Sequence, residues 1–149
     1  MRTNANSRWG HYRKTINGDK CVYCGDISTT EDHFPPKSYS HKGVLLPCCK
    51  ECNSLAGTNY PTDFIKRSEY VKFRIRKRHR SKMNVGEFSV DEIEEFTGNL
   101  KRSINLWQTQ RRTVRARIAW NAMLYIASID KNNDFVQTCV DLDGITEKD

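Results

Sequence analysis

The sequence predicts an α+β fold, in which a compact module over residues 21–60 precedes a mainly helical extension over 61–130. The module holds two Cys-x-x-Cys pairs and short apolar runs bounded by proline and glycine, which is typical of a small unit with brief strands. The extension repeats apolar residues at a period of 3.6, which is typical of amphipathic helices. A basic lead-in over 1–20 precedes the module, and an acidic tail over 131–149 follows the extension. We expect the acidic tail to be frayed.

The module is predicted to contain strand, loop, strand and short helix in that order. A strand over 29–33 is ended by Pro35, because proline cannot donate a hydrogen bond to a ladder. A second short strand over 43–46 is expected to stop at Pro47 for the same reason. A helical turn over 53–56 follows the second cysteine pair and ends at a glycine.

The first helix of the extension has a candidate N-cap in Thr62 or Asp63 and is predicted to run to about Arg80. Its apolar residues recur on one face at the helical period. That face holds Phe64, Val71 and Ile75.

Two more helices are predicted further along the chain. Ser89 followed by Glu92 is a capping-box pattern that opens the second helix, and Gly98 predicts a kink or a break within it. The segment 111–129 has the strongest helical pattern and is predicted to be one continuous helix.

Four cysteines at matched spacing predict one tetrahedral zinc site, because a two-residue gap lets both sulfurs of a pair face one ion. We favour Cys49 over its neighbour Cys48 as a ligand, since Cys49 has the two-residue gap to Cys52. Buried free thiols are the alternative, and a thiol redox site is disfavoured because it would use only one pair. Cys139 has no partner in the sequence. The predicted ligands are Cys21, Cys24, Cys49 and Cys52.

Six cysteines without a secretory signal favour metal ligation over disulfides. The chain also has no apolar run long enough for a transmembrane helix, so no membrane partner is expected. Both observations predict a cytoplasmic location.

The formal net charge of +7 predicts attraction to a polyanion such as nucleic acid. The basic residues form two blocks, over 66–82 and 101–117, whereas acidic residues gather over 91–95 and after Asp130. Such segregation favours a surface of one sign, although ordinary solvated helix faces are the alternative. The residues predicted to contact nucleic acid are Lys72, Arg74, Arg76, Lys77, Arg78, Arg80, Arg111, Arg112 and Arg115.

From residue 21 to about residue 57 the chain resembles the HNH nucleases, the zinc-stapled branch of the ββα-metal (His-Me finger) nucleases. The resemblance implies a zinc-stabilised ββα-metal core and a divalent-metal-dependent DNA endonuclease of the kind found in phages and mobile elements. If the gene is phage-borne, the cytoplasm would be that of a bacterial host. The matching residues are Cys21, Cys24, Asp32-His33, Pro35-Pro36-Lys37-Ser38, Leu46-Pro47-Cys48-Cys49, Cys52-Asn53-Ser54 and Gly57.

The resemblance implies a role for each residue of the module's centre. His33 would be the general base that takes a proton from the attacking water. Asp32 and Asn53 would bind the catalytic Mg²⁺ or Mn²⁺ through oxygen, while the zinc would be structural. Because Asp32 and His33 are neighbours on an extended segment, their side chains point to opposite sides, and the loop would have to twist to bring both to one phosphate.

One position departs from the family's pattern. The family usually has a central asparagine on the second strand that ties down the loop after the histidine, and Val44 occupies that place. Backbone groups or His41 could substitute for it. The alternative function is therefore a non-catalytic zinc module that binds nucleic acid or a protein. If the chain is a nuclease, a monomer would nick DNA and a homodimer could cut both strands.

Overall fold

The computed structural model describes residues 13–59 and 63–146, and over these ranges it confirms a mixed α+β fold. Most of the predicted lead-in and the candidate cap Thr62 lie outside the described residues. None of the helices in the described ranges is long and apolar enough to span a bilayer. The strands are β1 (Arg13–Thr15), β2 (Thr30–Phe34) and β3 (Gly43–Cys48). The helices are α1 (Lys50–Ala56), α2 (Phe64–Arg78), α3 (Arg80–Met83), α4 (Val90–Glu94), α5 (Gly98–Ala119), α6 (Ala122–Ile129) and α7 (Asp134–Thr146).

The three strands form one sheet in the order β1-β3-β2. β2 pairs with β3 in antiparallel fashion, and β1 pairs with β3 in parallel fashion. The two strands predicted in the module are present, and α1 follows them directly, so the local order is strand, strand, helix. β1 was not predicted, because three residues are too few to show a period in the sequence.

The prediction that Pro47 stops the second strand is wrong, because β3 continues through it to Cys48. Groups two residues apart on a strand point the same way. The Leu45 carbonyl faces β1, where it accepts the Ile16 N–H at 2.9 Å. The ring nitrogen of Pro47 therefore also faces the β1 side, beyond the point where β1 has ended at Thr15. No ladder hydrogen bond is lost there, and proline is tolerated.

The two faces of the sheet differ in burial. The core face carries alternate residues of β2 and β3, all of them buried: Asp32, Phe34, Val44, Leu46 and Cys48. The opposite face is mixed: Leu45 and Pro47 of β3 are buried there, whereas Glu31 and His33 of β2 are half-buried. Because each strand alternates, Asp32 and His33 point to opposite sides of the sheet.

α2 is close to its prediction. Asp63 caps it by accepting the Lys66 N–H at 2.7 Å, and Thr62 lies outside the described residues. The helix ends at Arg78 and not at about Arg80, because His79 separates it from the short α3. The expected apolar residues are buried, and Arg67 is buried among them.

The second predicted helix is two helices. The capping box of Ser89 and Glu92 is present, with both reciprocal hydrogen bonds at 2.7 and 3.1 Å. α4 nevertheless ends at Glu94, and α5 begins at Gly98. The break expected at this glycine is confirmed.

The prediction of one continuous helix over 111–129 is wrong. α5 ends at Ala119, and Trp120 adopts an extended backbone with ψ of 135°. Its indole Nε1 donates to the Val22 carbonyl at 3.2 Å, which anchors the end of α5 on the cysteine module. Asn121 then starts α6 by accepting the Leu124 N–H at 3.0 Å. A tertiary contact and a new cap thus override the local helical pattern.

The acidic tail is not frayed over 134–146, where it forms α7. Phe135 of this helix is only 2% exposed. Its ring centroid lies 5.6 Å from that of Phe34 and 5.1 Å from that of Phe64, so β2, α2 and α7 meet in one aromatic cluster. The carboxylate of Asp130 accepts the Phe135 N–H at 3.1 Å and fixes the start of the helix. α7 therefore belongs to the core that supports the module.

Candidate metal centre and active site

The four predicted zinc ligands come together in the structure. The Sγ atoms of Cys21, Cys24, Cys49 and Cys52 all lie within 4.8 Å of one another, and all four residues are buried. The first pair lies in the turn before β2, and the second pair opens α1, where Cys49 Sγ accepts the Cys52 N–H at 3.4 Å. The cluster contains Cys49 and not Cys48, which belongs to the core face of β3, although Cys48 Sγ lies 3.9 Å from Cys21 Sγ.

The chemistry of this cluster fits a structural metal such as zinc. Hydrogen bonds from the neighbouring thiols hold the pKa of Cys49 far below its usual range, whereas its neighbours Cys24 and Cys52 have raised pKa values because they share protons with the other sulfurs. Four adjacent thiolates would repel one another unless a cation lies between them. A thiolate-preferring dication satisfies this donor set, and four sulfurs close a tetrahedral shell without leaving room for a substrate.

Arg117 is a neighbour of the cluster that the sequence did not single out. It was expected to lie in an exposed basic block, yet it is only 8% exposed. Its Nη2 lies 3.8 Å from Cys52 Sγ and 2.6 Å from the Glu51 carboxylate, and its Nε pairs with Asp26 at 3.3 Å. A cation at this position offsets part of the negative charge of four thiolates around one dication.

His33 lies on β2, on the face opposite the core, and is half-buried. Its cross-strand partner is Leu45 of β3, which in turn pairs with Thr15 of β1. Cross-strand partners share a face, so these three residues form one row across the sheet. The imidazole is therefore placed on the side of the sheet that is not filled by the aromatic core.

Asn53 ties α1 to the strand that carries His33. Its Nδ2 donates to Thr30 Oγ1 at 3.1 Å and to the Glu31 carbonyl at 3.2 Å. The amide thus lies two residues from His33 along β2, and its Oδ1 is the atom that could bind a cation. The resemblance implies that His33 and Asn53 share one site, and the contacts of Asn53 on β2 are with Thr30 and Glu31.

Asp32 requires a correction. Its carboxylate is buried on the core face, where Arg67 Nη2 donates to Oδ1 at 2.9 Å and Arg67 Nε lies 3.4 Å from Oδ2. The buried Tyr23 hydroxyl donates to the same Oδ2. With both oxygens engaged and His33 on the other face, Asp32 is poorly placed to bind a catalytic cation beside His33. The twist of the loop that would unite the two residues is not present, since β2 keeps regular pairing from Thr30 to Phe34.

Arg67 gathers several parts of the module around Asp32. Besides the carboxylate, it donates to the Gly57 carbonyl at 3.1 Å and to the Asn59 carbonyl, so it also holds the chain that leaves α1. Burial alone would lower the pKa of the Arg67 guanidinium, but the oxygens of Tyr23 and Asp32 raise it. Burial raises the pKa of Tyr23 well above its usual value, and the charge of Asp32 adds to the effect. The network is a charged arginine on a carboxylate, with a neutral phenol as donor.

Two further residues, next to His33 and Asp32, were missed in the sequence, and one of them had a visible signal. Glu31 is the carboxylate on the same side of β2 as His33, which follows from strand alternation once the strand is placed. Arg67 is the partner of Asp32, but it lies 35 residues away in the chain. No local pattern separates it from the lysines and arginines around it, so only the fold identifies it.

The loop after His33 is held by Arg13 and not by a strand asparagine. The Val44 side chain is apolar and fully buried on the core face. Arg13 Nη2 instead donates to the Pro35 carbonyl at 2.7 Å and to the Ser40 carbonyl at 2.6 Å. These carbonyls lie at the start and near the end of the loop, which is therefore fastened from β1. Backbone groups, one of the two predicted substitutes, take part, because both acceptors are main-chain carbonyls, but the Arg13 side chain that binds them was not predicted.

The nine predicted nucleic-acid contacts are distributed over two helices and a short third one. Six are exposed, namely Arg76, Lys77, Arg78, Arg80, Arg112 and Arg115. Lys72, Arg74 and Arg111 are half-buried, and Arg74 Nη1 donates to the Tyr70 hydroxyl at 2.8 Å. Three of the nine lie near acids: Arg78 is 3.5 Å from Glu51, while Arg111 and Arg115 are 3.8 and 3.9 Å from Glu87.

No protein-family model matches this chain, and no curated protein or solved structure is significantly similar to it. The likeness to HNH nucleases consequently rests on the residues and their arrangement alone.

Proposed function

We propose that this chain is a metal-dependent DNA endonuclease of the HNH type, which hydrolyses phosphodiester bonds. One observation carries the proposal. Asn53, in the helix that the cysteine cluster fixes, is hydrogen-bonded at 3.2 Å to β2 two residues before His33. A histidine and an oxygen ligand are thereby supported on a strand and a helix that the four-cysteine cluster holds together. Such placement on rigid elements is what a catalytic site requires.

His33 would act as the general base. A neutral imidazole accepts a proton from water near neutral pH, and the water oxygen then attacks the phosphorus while the 3′ oxygen leaves. The products are a 5′ phosphate and a 3′ hydroxyl, as the resemblance implies. The imidazole is half-buried and lies on the side of the sheet opposite the aromatic core, where a phosphate could approach.

The catalytic cation would be Mg²⁺ or Mn²⁺, held by oxygen atoms. Asn53 Oδ1 is one ligand, and we assign the second to the Glu31 carboxylate, which replaces Asp32 in this role. Glu31 is suited to it because its own carbonyl accepts the Asn53 amide and its side chain lies on the His33 side of β2. When bound, such a cation would neutralise charge on a phosphate oxygen and on the leaving 3′ oxygen.

The exposed arginines and lysines would hold DNA by its phosphates. Arg76, Lys77 and Arg80 lie on or just after α2 and are exposed, and the chain carries a net charge of +7. Contacts of this kind add affinity without reading sequence and are weakened by salt. One catalytic module cuts one strand, so we expect nicking by a monomer and double-strand cleavage only by a homodimer.

The experiment that tests this function is cleavage of supercoiled plasmid with Mg²⁺ or Mn²⁺, using wild type, His33→Ala and Lys131→Ala. Lys131 is an exposed residue after α6 and is the control substitution, because it belongs to none of the proposed sites. We expect wild type and Lys131→Ala to produce nicked or linear plasmid, and His33→Ala to produce neither while still binding DNA. Equal activity of the His33→Ala protein, or no cleavage by zinc-loaded wild type, would reject the proposal.

A second candidate function is a non-catalytic zinc module that binds nucleic acid or a protein. The observation that favours it is the pairing of Asp32 with Arg67 at 2.9 Å, which removes the carboxylate that the family uses beside its histidine. Under this function the protein needs only its zinc and its arginines. It would bind DNA equally well with and without His33 and would not bind Mn²⁺ at a second site.

A further inference from the structure

The loop between β2 and β3 has a composition that neither the cysteine cluster nor the candidate active site uses. Residues 37–42 read Lys-Ser-Tyr-Ser-His-Lys, and no acidic residue occurs between residues 34 and 50. These six residues line an open groove of about 550 Å³. Five of them are exposed and the sixth is half-buried, and the Tyr39 side chain is 60% exposed. The groove thus combines two ammonium groups, hydroxyls and an accessible ring.

The loop is fixed in shape before anything binds to it. Besides the two hydrogen bonds from the buried Arg13, the Tyr39 and Ser40 N–H groups donate to the Pro36 carbonyl at 2.9 and 3.2 Å. The Lys42 N–H donates to Ser40 Oγ at 3.1 Å. Because the backbone is already ordered, binding of a ligand would not cost the conformational entropy of ordering the loop.

The position of the loop relates it to the candidate active site. Only Pro35 and Pro36 separate it from β2, whose last two residues are His33 and Phe34, so its two lysines follow the proposed general base closely along the chain. Ammonium groups and hydroxyls suit phosphate oxygens, and an exposed tyrosine ring suits the face of a nucleobase. In a duplex the base faces are stacked on each other and are not accessible to such a ring. A ring of this kind therefore favours a strand with unpaired nucleotides.

We propose that the loop 37–42 binds one DNA strand beside the cleavage site, with phosphates on Lys37 and Lys42 and an unpaired base stacked on Tyr39. The preferred substrate class is then DNA with single-stranded or unpaired nucleotides next to the scissile phosphate. Only one part of this inference rests on the proposed function, namely that the bound strand is the substrate of the nuclease. Binding itself does not require His33 or a catalytic cation.

The test compares binding of a fluorescent single-stranded oligonucleotide and of the matching duplex by anisotropy, in the absence of Mg²⁺ and in the His33→Ala background. We expect Tyr39→Ala to weaken single-strand binding about fivefold or more, and Tyr39→Phe to preserve it, because the stacking ring remains. Duplex binding should change less than twofold with either substitution. Equal effects on both oligonucleotides, or no effect on either, would overturn the inference.

The lysines are tested by the salt dependence of single-strand binding. Lys37→Gln with Lys42→Gln should lower the slope of log K against log salt by about 1.4, since each phosphate contact on a single strand contributes about 0.7. Lys131→Gln, an exposed lysine after α6, is the matched control and should leave the slope unchanged. An unchanged slope in the double variant would refute the phosphate contacts, and so would an equal drop in the Lys131 variant.

The outcome for the loop is separable from the outcome for the proposed function. Tyr39-dependent binding of single strands together with no plasmid cleavage would reject the nuclease proposal and support the proposal for the loop. Cleavage that depends on His33, together with single-strand binding that is unchanged by Tyr39→Ala, would support the nuclease proposal and reject the proposal for the loop. Zinc content and thermal unfolding of each variant verify that the loop substitutions leave the fold intact. A variant that fails this check is replaced by Tyr39→Ser or by the single lysine variants.

Discussion

Arg67 Nη2 lies 2.9 Å from Asp32 Oδ1, and the two side chains are 0% and 4% exposed. Such an ion pair is tolerated in a protein interior only when the remaining polar groups are also hydrogen-bonded. The Tyr23 hydroxyl donates a hydrogen bond to the Asp32 carboxylate, and the Arg67 guanidinium donates to the Gly57 carbonyl at 3.1 Å. The pair joins β2 to α2 and to the end of α1, so it supports the elements that carry His33 and Asn53.

The first prediction concerns the stability that depends on this pair. Arg67→Met should lower the free energy of unfolding by roughly 3–5 kcal/mol, because it leaves a buried carboxylate without its cation. Asp32→Asn should also destabilise, since it leaves a buried guanidinium without its anion. The double variant should lose clearly less than the sum of the two single losses. Urea unfolding of the zinc-loaded proteins measures all three.

Arg76→Met is the matched control for that cycle, because Arg76 is an exposed arginine of the same helix. It should change the free energy of unfolding by no more than about 0.5 kcal/mol. If the losses of Arg67→Met and Asp32→Asn were simply additive, the two side chains would not be coupled, and the assignment of Asp32 to the core would be wrong.

The parts of the fold that were predictable have short-range signals. Cysteine spacing identified the four-sulfur cluster, and proline, glycine and capping residues identified β2, β3 and α1 to within a few residues. Asp63 and the Ser89 capping box were recognisable for the same reason, because a cap and its partner are three residues apart.

The parts that were not predictable depend on contacts between distant residues. Trp120 breaks a helical pattern because its indole bonds to Val22, 98 residues earlier. Phe135 turns an acidic tail into a core helix by packing on Phe34 and Phe64. Arg67 was counted among exposed basic residues, since a sequence does not show which arginine of a basic run will be buried. Strand alternation alone would have separated Asp32 from His33, but the resemblance outweighed it.

The second prediction separates two carboxylates that are neighbours on β2. In the zinc-loaded protein, Glu31→Gln should weaken Mn²⁺ binding about tenfold or more, because it removes a charged oxygen ligand. Asp32→Asn should leave Mn²⁺ binding within about twofold while lowering stability, since its carboxylate faces Arg67. Titration of free Mn²⁺ by electron paramagnetic resonance, below the unfolding temperature of each variant, measures the affinity. A larger loss of Mn²⁺ affinity in Asp32→Asn than in Glu31→Gln would show that Asp32 binds the cation.

The third prediction tests which of two adjacent cysteines binds the structural metal. Cys49→Ser should lose most of the bound zinc, because Cys49 is one of the four clustered sulfurs and also caps α1. Cys48→Ser should retain one zinc per chain, although the buried hydroxyl will lower stability. Atomic absorption of the purified variants, checked by thiol alkylation with and without chelator, measures the occupancy. One full equivalent of zinc in Cys49→Ser would show that Cys48 had taken its place as a ligand.

The fourth prediction tests whether the acidic C-terminal segment is part of the core. Phe135→Ala should lower the free energy of unfolding by roughly 3–5 kcal/mol, because it removes a ring that is 2% exposed and packs on Phe34 and Phe64. Val136→Ala, at the next position and 54% exposed, is the matched control and should change it by at most about 0.5 kcal/mol. Urea unfolding compares the two. Because α7 packs on the face of β2 and β3 opposite His33, a Phe135→Ala protein that still folds should keep its zinc and its DNA binding. Equal, small effects of both substitutions would mean that the segment does not support the sheet in solution.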